Sequence, residues 1–256
     1  AFEVGATKRS ALVFASEVLR NRRFLGKLQD RVKLLETTLV HRCIEALNKM
    51  VSCEEEMVYM SYLIASLAAG NPSQEARSQL FQTLLQPKIN PQSILHNAIG
   101  QLASCTDSEE EFSKYLEKLT TINNLSGVTT PSRLRVLRLI ILNAKSREQV
   151  EILSNSSRLL FSLALGVMIS PNSKPDGIQE AVELIEVMAS NKEIIPLRER
   201  DLCLILAHVV GALGLMGELE VAMANKIFKS CFSIVSSILQ RFSKQLYSCI
   251  PNVIQC

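Results

Sequence analysis

The chain has 256 residues, of which 47% are hydrophobic and 21% charged, and carries a formal net charge of +3. This supplies enough apolar material for a real core and excludes a disordered chain; the length allows one elongated repeat domain or two compact ones. Trp is absent and aromatics are only 5%, so the core must be built from Leu, Ile, Val, Ala and Met.

Helix-length apolar stretches follow one another from end to end, and none shows sustained alternation. The spacing predicts a first helix over 7–25 and a second over 27–51. Basic residues concentrate here: residues 1–50 hold ten Lys/Arg against five acids, a local excess of +5. Arg20, Arg22, Arg23, Lys27, Arg31 and Lys33 are therefore candidate contacts to RNA phosphates or to an acidic partner. The alternative is a solvated helix face. His41, Cys43 and Cys53 form a sparse His/Cys cluster, but zinc requires four ligands, usually as close pairs. Cys43 reads instead as a buried thiol beside Ile44 and Leu47.

Helices are expected next over 55–69, closed by Gly70, then 73–86 and 91–104. Asn71-Pro72, Asn90-Pro91 and Thr130-Pro131 each place a cap residue before a Pro at the first helical position. Ser108-Glu109-Glu110-Glu111 reads as a capping box opening a helix over 108–121, with its acids where the macrodipole favours them. Phe112, Tyr115, Leu116 and Leu119 line one face of that helix.

A helix over 131–145 follows, with a second basic run. Arg135, Arg138 and Lys145 fall within about 80° of arc at helical spacing, a further candidate face for RNA or an acidic partner. No aromatic is interleaved, so base stacking is not supported there. Helices over 147–169 (with a break expected near Asn155) and 176–190 lead to the apolar run Leu202–Met216. At about fifteen residues that run is shorter than the roughly 20 needed to cross a bilayer, and it reads as a buried helix within 197–215. Cys203 and His208 lie on it five residues apart, hence on different faces. Gly211, Gly214 and Gly217 follow no strand and precede no Lys-Ser/Thr, which argues for close helix packing rather than a phosphate loop. Helices over 218–240 and 242–250 end the series. Phe228, Phe232, Phe242 and Tyr247 on these last two are candidate partner-docking residues, or core of the final pair.

The seven Cys are odd in number and irregularly spaced, which fits free thiols in a reducing, intracellular compartment. The N-terminus lacks a signal-peptide layout, and neither a start Met nor a natural end is evident, which suggests a piece of a larger protein. Short breaks between about eleven or twelve helices imply antiparallel hairpins, with two helices per roughly 40 residues. The expected fold is all-α: a single repeat domain over 1–256, an α-solenoid of divergent HEAT/armadillo-like helix pairs. A compact irregular all-α domain is the competing architecture.

No convergent catalytic, cofactor or metal residues stand out. An all-α enzyme would need His41, His96 or His208 to meet a carboxylate or thiol across helices. A non-catalytic scaffold that binds proteins along a helical surface is the better reading, with no membrane and no small-molecule substrate. An RNA-binding module acting through the N-terminal basic residues is the second.

Two stretches add a resemblance. Phe242-Ser243-Lys244-Gln245-Leu246-Tyr247-Ser248-Cys249-Ile250-Pro251 and Ile194-Ile195-Pro196-Leu197-Arg198-Glu199-Arg200-Asp201 resemble the C-terminal part of the unhealthy ribosome biogenesis family. The resemblance covers the last third of the chain, and neither stretch is a chemical signature. It implies a non-enzymatic nucleolar role in early large-subunit assembly and pre-rRNA processing. The partners it implies are another large helical scaffold and a DEAD-box RNA helicase, with pre-ribosomal RNA as an RNA ligand.

Overall fold

A computed structural model describes residues 10, 14–15, 17–19, 21, 26–49, 54–70, 72–85, 93–106, 108–121, 130–170, 172–191 and 199–242. Among these every regular element is helical, so the fold is all-α. After a short 3₁₀ turn at Gly26–Leu28, the helices are α1 (Gln29–Lys49), α2 (Glu54–Ala69), α3 (Gln74–Leu84), α4 (Ser93–Ser104), α5 (Glu109–Thr120), α6 (Thr130–Asn143), α7 (Arg147–Ile169), α8 (Pro175–Ser190), α9 (Glu199–Gly214) and α10 (Val221–Phe242). A second 3₁₀ turn, Leu215–Glu218, precedes α10. Between residues 27 and 240 the described helices follow the expected series, and α7 runs unbroken through Asn155; most of the helix expected over 7–25, and that expected over 242–250 beyond Phe242, lie outside the described residues.

The chain divides into two compact units, Ala1–Ser132 and Arg133–Cys256. In the first, α2 packs most extensively on α4, and α1 on α3, with lesser contacts between α3 and α4, α1 and α2, and α4 and α5. Leu39 and Leu47 on α1, Leu63, Ile64 and Leu67 on α2, Leu80, Phe81 and Leu84 on α3, and Leu95, Ile99 and Leu102 on α4 are all fully buried. Their spacing of three and four places them on one stripe per helix, and burying each contributes about 2 kcal/mol.

In the second unit α8 packs on α10 and on α7, and α9 packs on α10 and α7. Its core is Leu153, Leu160 and Ala164 of α7, Ala181, Leu184 and Met188 of α8, Leu202, Ile205 and Val209 of α9, and Ile227, Ile234 and Ile238 of α10. By length and composition alone, α7 could cross a membrane. It carries the exposed Arg158 at mid-length and packs against α8 and α9.

The helix starts show where local chemistry decides. Ser73, Ser108 and Ser146 each cap a helix through their side-chain oxygens. The full capping box occurs at Ser146 with Gln149. It does not occur at Ser108, because the Glu111 carboxylate is engaged elsewhere; the Ser108 N–H is met instead by Thr106 Oγ1 at 3.1 Å. Pro72 precedes the cap of α3 instead of opening the helix, and its carbonyl accepts from Arg77. The Asn90-Pro91 start lies outside the described residues.

Gly70 closes α2 with its N–H bonded to Ser66 and Leu67 carbonyls at 3.1 and 3.0 Å. A Cβ there would lie 3.0 Å from the Leu19 carbonyl oxygen, so this is a point of close backbone approach. Gly211, Gly214 and Gly217 are the opposite: a Cβ on any of them would meet nothing within 4 Å. The close packing expected at these three is not present.

Candidate functional site

The N-terminal basic cluster is described only in part. Arg20, Arg22 and Arg23 lie outside the described residues, as does the Lys27 side chain. Arg31 and Lys33 are exposed on α1, but two residues of helix separate them by about 200° around the axis. Further along α1, Glu45 pairs with Arg42 at 3.2 Å and with His41 at 3.3 Å. His41 faces solvent while Cys43 is fully buried. Burial pushes the Cys43 thiol up to about 12, so it is an inert core group. Cys53 lies outside the described residues.

The second basic run has an internal destination. Arg135 Nε donates to Glu180 Oε1 at 2.6 Å. Arg138 meets Glu180 Oε2 at 3.4 Å and also pairs with Glu183. Glu180 is almost completely buried, and these pairs tie α6 to α8. Burial lowers the Arg138 pKa, with Glu180 pulling the other way. Arg133, also on α6, is buried. Lys145 is exposed just past the helix. The arc shared by Arg135, Arg138 and Lys145 thus holds two guanidinium groups matched by carboxylates and one exposed ammonium.

A second buried polar cluster sits in the first unit. Arg77 of α3 forks onto Glu111 of α5, Nε to Oε1 at 3.0 Å and Nη2 to Oε2 at 2.6 Å. Thr106 donates to Glu111 Oε2 at 2.8 Å, and the Tyr115 hydroxyl donates to Oε1. The Tyr115 ring lies 4.2 Å from that of Phe81. Nearby, Glu36 of α1 accepts from the Ser73 N–H at 3.0 Å. Burial raises the Glu111 carboxyl, but hydrogen bonds from Arg77, Tyr115 and Thr106 outweigh it and hold the group below its ordinary value. Burial lowers Arg77, and Glu111 more than restores it. Burial and the Glu111 carboxylate together raise Tyr115. A bidentate, fully satisfied pair of this kind fixes helix register; its carboxylate has no capacity left for a ligand.

His208 Nδ1 sits 2.6 Å from the Leu204 carbonyl of its own helix, and His96 is buried in α4. Among the described residues no three His, Cys, Asp or Glu side chains gather as a metal site. Cys231 is buried, which lifts its thiol to about 11.

The apolar candidates lie differently. Phe228 and Phe232 of α10 are 52% and 68% exposed. Phe242 is half-buried at the helix end, with the Arg241 guanidinium 5.0 Å over its ring. Arg241 also donates to the Ala189 carbonyl of α8. Tyr247 lies outside the described residues. Val221 and Leu239, at 75% and 51% exposure, extend the phenylalanine stripe, and neither stood out in sequence.

With this geometry in hand, no family model, no curated protein and no solved structure matches the chain.

Proposed function

We propose that the chain is part of a non-catalytic helical scaffold in which divergent HEAT-like helix pairs stack and offer surfaces to protein partners. The observation that carries this reading is the packing pattern inside each unit: α1 on α3 and α2 on α4, then α7 on α9 and α8 on α10. Contact with the next helix but one is how stacked pairs bury a continuous core from nearest-neighbour units. The two buried charge clusters support it, since each ties one helix to another. The reading assigns no catalytic residue, cofactor or metal.

The resemblance of 194–201 and 242–251 supplies the biological context. It implies a nucleolar scaffold in early assembly of the large ribosomal subunit and pre-rRNA processing, beside another large helical scaffold and a DEAD-box RNA helicase. Affinity purification of the parent protein from its own cells, read by mass spectrometry and RNA sequencing, tests this. Large-subunit precursor RNA and assembly factors are the expected companions. Recovery of an unrelated complex would remove the ribosomal context and leave the helical scaffold.

RNA binding is the second reading, favoured by the +5 excess of residues 1–50. It requires affinity that falls steeply with salt. Reversal of Arg22 and Arg23 to Glu should then weaken RNA binding, and unchanged binding would end this reading.

A further inference from the structure

We infer that the outer face of α10 is a docking seam for an amphipathic helix of another protein, one whose apolar stripe is flanked by carboxylates. This rests on the scaffold reading and names the chemistry of one partner.

The inference begins with spacing. Val221, Phe228, Phe232 and Leu239 are separated by seven, four and seven residues, which places them within about 40° of arc on a helix. All four are large, apolar and more than half exposed. Asn225 and the half-buried Val235 fall on the same line. The full series advances by alternating steps of four and three, the 3.5-residue period of a coiled-coil seam. It runs from Val221 to Leu239, most of α10, about 27 Å.

The inner face of the same helix repeats the pattern. Ile227, Cys231, Ile234 and Ile238, at steps of four, three and four, are buried against α8 and α9. Thus α10 carries two apolar seams, roughly 120° apart, and its own unit fills one. An exposed apolar line of this length marks an interaction site, and its width is that of a single helix.

Charge selects among occupants. Lys226, Lys229 and Arg241 are the only charged residues of α10, with no Asp or Glu in the helix. Lys229 flanks the outer seam, while Glu220 precedes the first turn and stands to one side. Lys226 and Arg241 point well away from the seam, at about 140° and 160° from its centre, so Lys229 is the charge an occupant meets. A second copy would bring Lys229 to a helix with no carboxylate to meet it. A helix with Glu or Asp beside its apolar positions meets Lys229 directly, and Asn225, at a seam position, would favour a partner with a polar residue opposite.

The test is titration calorimetry of the 256-residue chain with two synthetic three-heptad peptides, both with Leu seams and one central Asn. One carries Glu at the flanking positions and the other Lys. The Glu-flanked peptide is expected to bind saturably, and the Lys-flanked peptide more than about tenfold more weakly. Phe228→Glu with Phe232→Glu should cost more than about tenfold in affinity while helical circular dichroism stays unchanged. Lys229→Glu should shift the preference toward the Lys-flanked peptide.

Equal binding of the two peptides, or binding indifferent to the Phe pair, overturns the inference. Self-association abolished by the Phe pair would make the occupant a second copy. Adsorption to phosphatidylserine vesicles abolished by the same pair would make it a lipid surface. Tighter peptide binding by a chain ending at Phe242 would assign the seam to residues 243–256. Failure here with partners still recovered by the parent protein leaves the scaffold standing without this surface. Peptide binding with no complex recovered does the reverse.

Discussion

Glu111 carries the largest consequence at the scale of single residues. It is buried and ionised because Arg77, Thr106 and Tyr115 surround its two oxygens. Removing one partner leaves a buried charge uncompensated, so Arg77→Ala and Glu111→Ala should each cost about 3–5 kcal/mol in urea unfolding. The double replacement Arg77→Met with Glu111→Leu should recover most of that loss, since similar apolar volume needs no pairing. The folded-state pKa of Glu111 lies below its ordinary 4.5. Its contribution is therefore present above pH 4.5 and lost as pH falls through the depressed value. An acid titration followed by circular dichroism should show this loss, and Glu111→Gln should remove that part of the acid dependence. Glycines give a contrast at the same scale. Gly70→Ala must displace the Leu19 carbonyl, which would be 3.0 Å from the new methyl, and should destabilise by about 1–3 kcal/mol. Gly211→Ala, in open space on α9, should stabilise by about 0.5–1 kcal/mol through helix propensity. Thermal melts of the two variants should move in opposite directions.

At the scale of elements, helix existence and type were readable because a stripe at three-and-four spacing has only one way to bury itself. Boundaries were readable where a Ser or Gly stands at the break. What escaped the sequence is pairing between helices. Arg77 precedes Leu80, Phe81 and Leu84 on the buried stripe of α3, and Glu111 precedes Tyr115 on that of α5. Glu180 stands the same way among Ile178, Ala181 and Leu184 on α8. A charge on an apolar stripe announces a buried partner; periodicity alone does not say which of many opposite charges it is. In sequence Glu111 reads as part of a cap, because three adjacent acids all suit a first turn, and only the fold separates the exposed Glu109 and Glu110 from the buried Glu111. The exposed line on α10 was half legible: its phenylalanines stood out, but Val221 and Leu239 gain meaning only once the inner seam is seen to be filled. Caps offer a direct check. Ser146→Ala removes one half of the reciprocal box with Gln149 and should cost about 1 kcal/mol. Ser108→Ala should cost less, because its bond to the Glu111 N–H is long at 3.4 Å and Thr106 already meets the Ser108 N–H.

At the scale of the molecule, stacked pairs and a single irregular core differ in how far damage travels. In a stack each helix is held by near neighbours, stability is a sum of local terms, and a lesion stays where it is made. In one shared core the same lesion lowers the whole cooperative unit. Glu111→Ala tests for one shared core, because its partners all lie between Arg77 and Tyr115, within the first unit. Native-state amide exchange should report a loss of about 3–5 kcal/mol of protection in α3, α4 and α5, roughly a hundredfold or more in rate. The amides of α8, α9 and α10 should exchange at rates within about threefold of the parent chain. The converse lesion sits at the other cluster. Glu180→Ala strands Arg135, leaves Arg138 with Glu183 alone, and should loosen α8 against α6 while leaving α2–α4 protection unchanged. If either substitution accelerates exchange equally in both units, the chain unfolds as one core. The stacked-pair reading, and the scaffold built on it, would then have to be given up in favour of a compact helical domain.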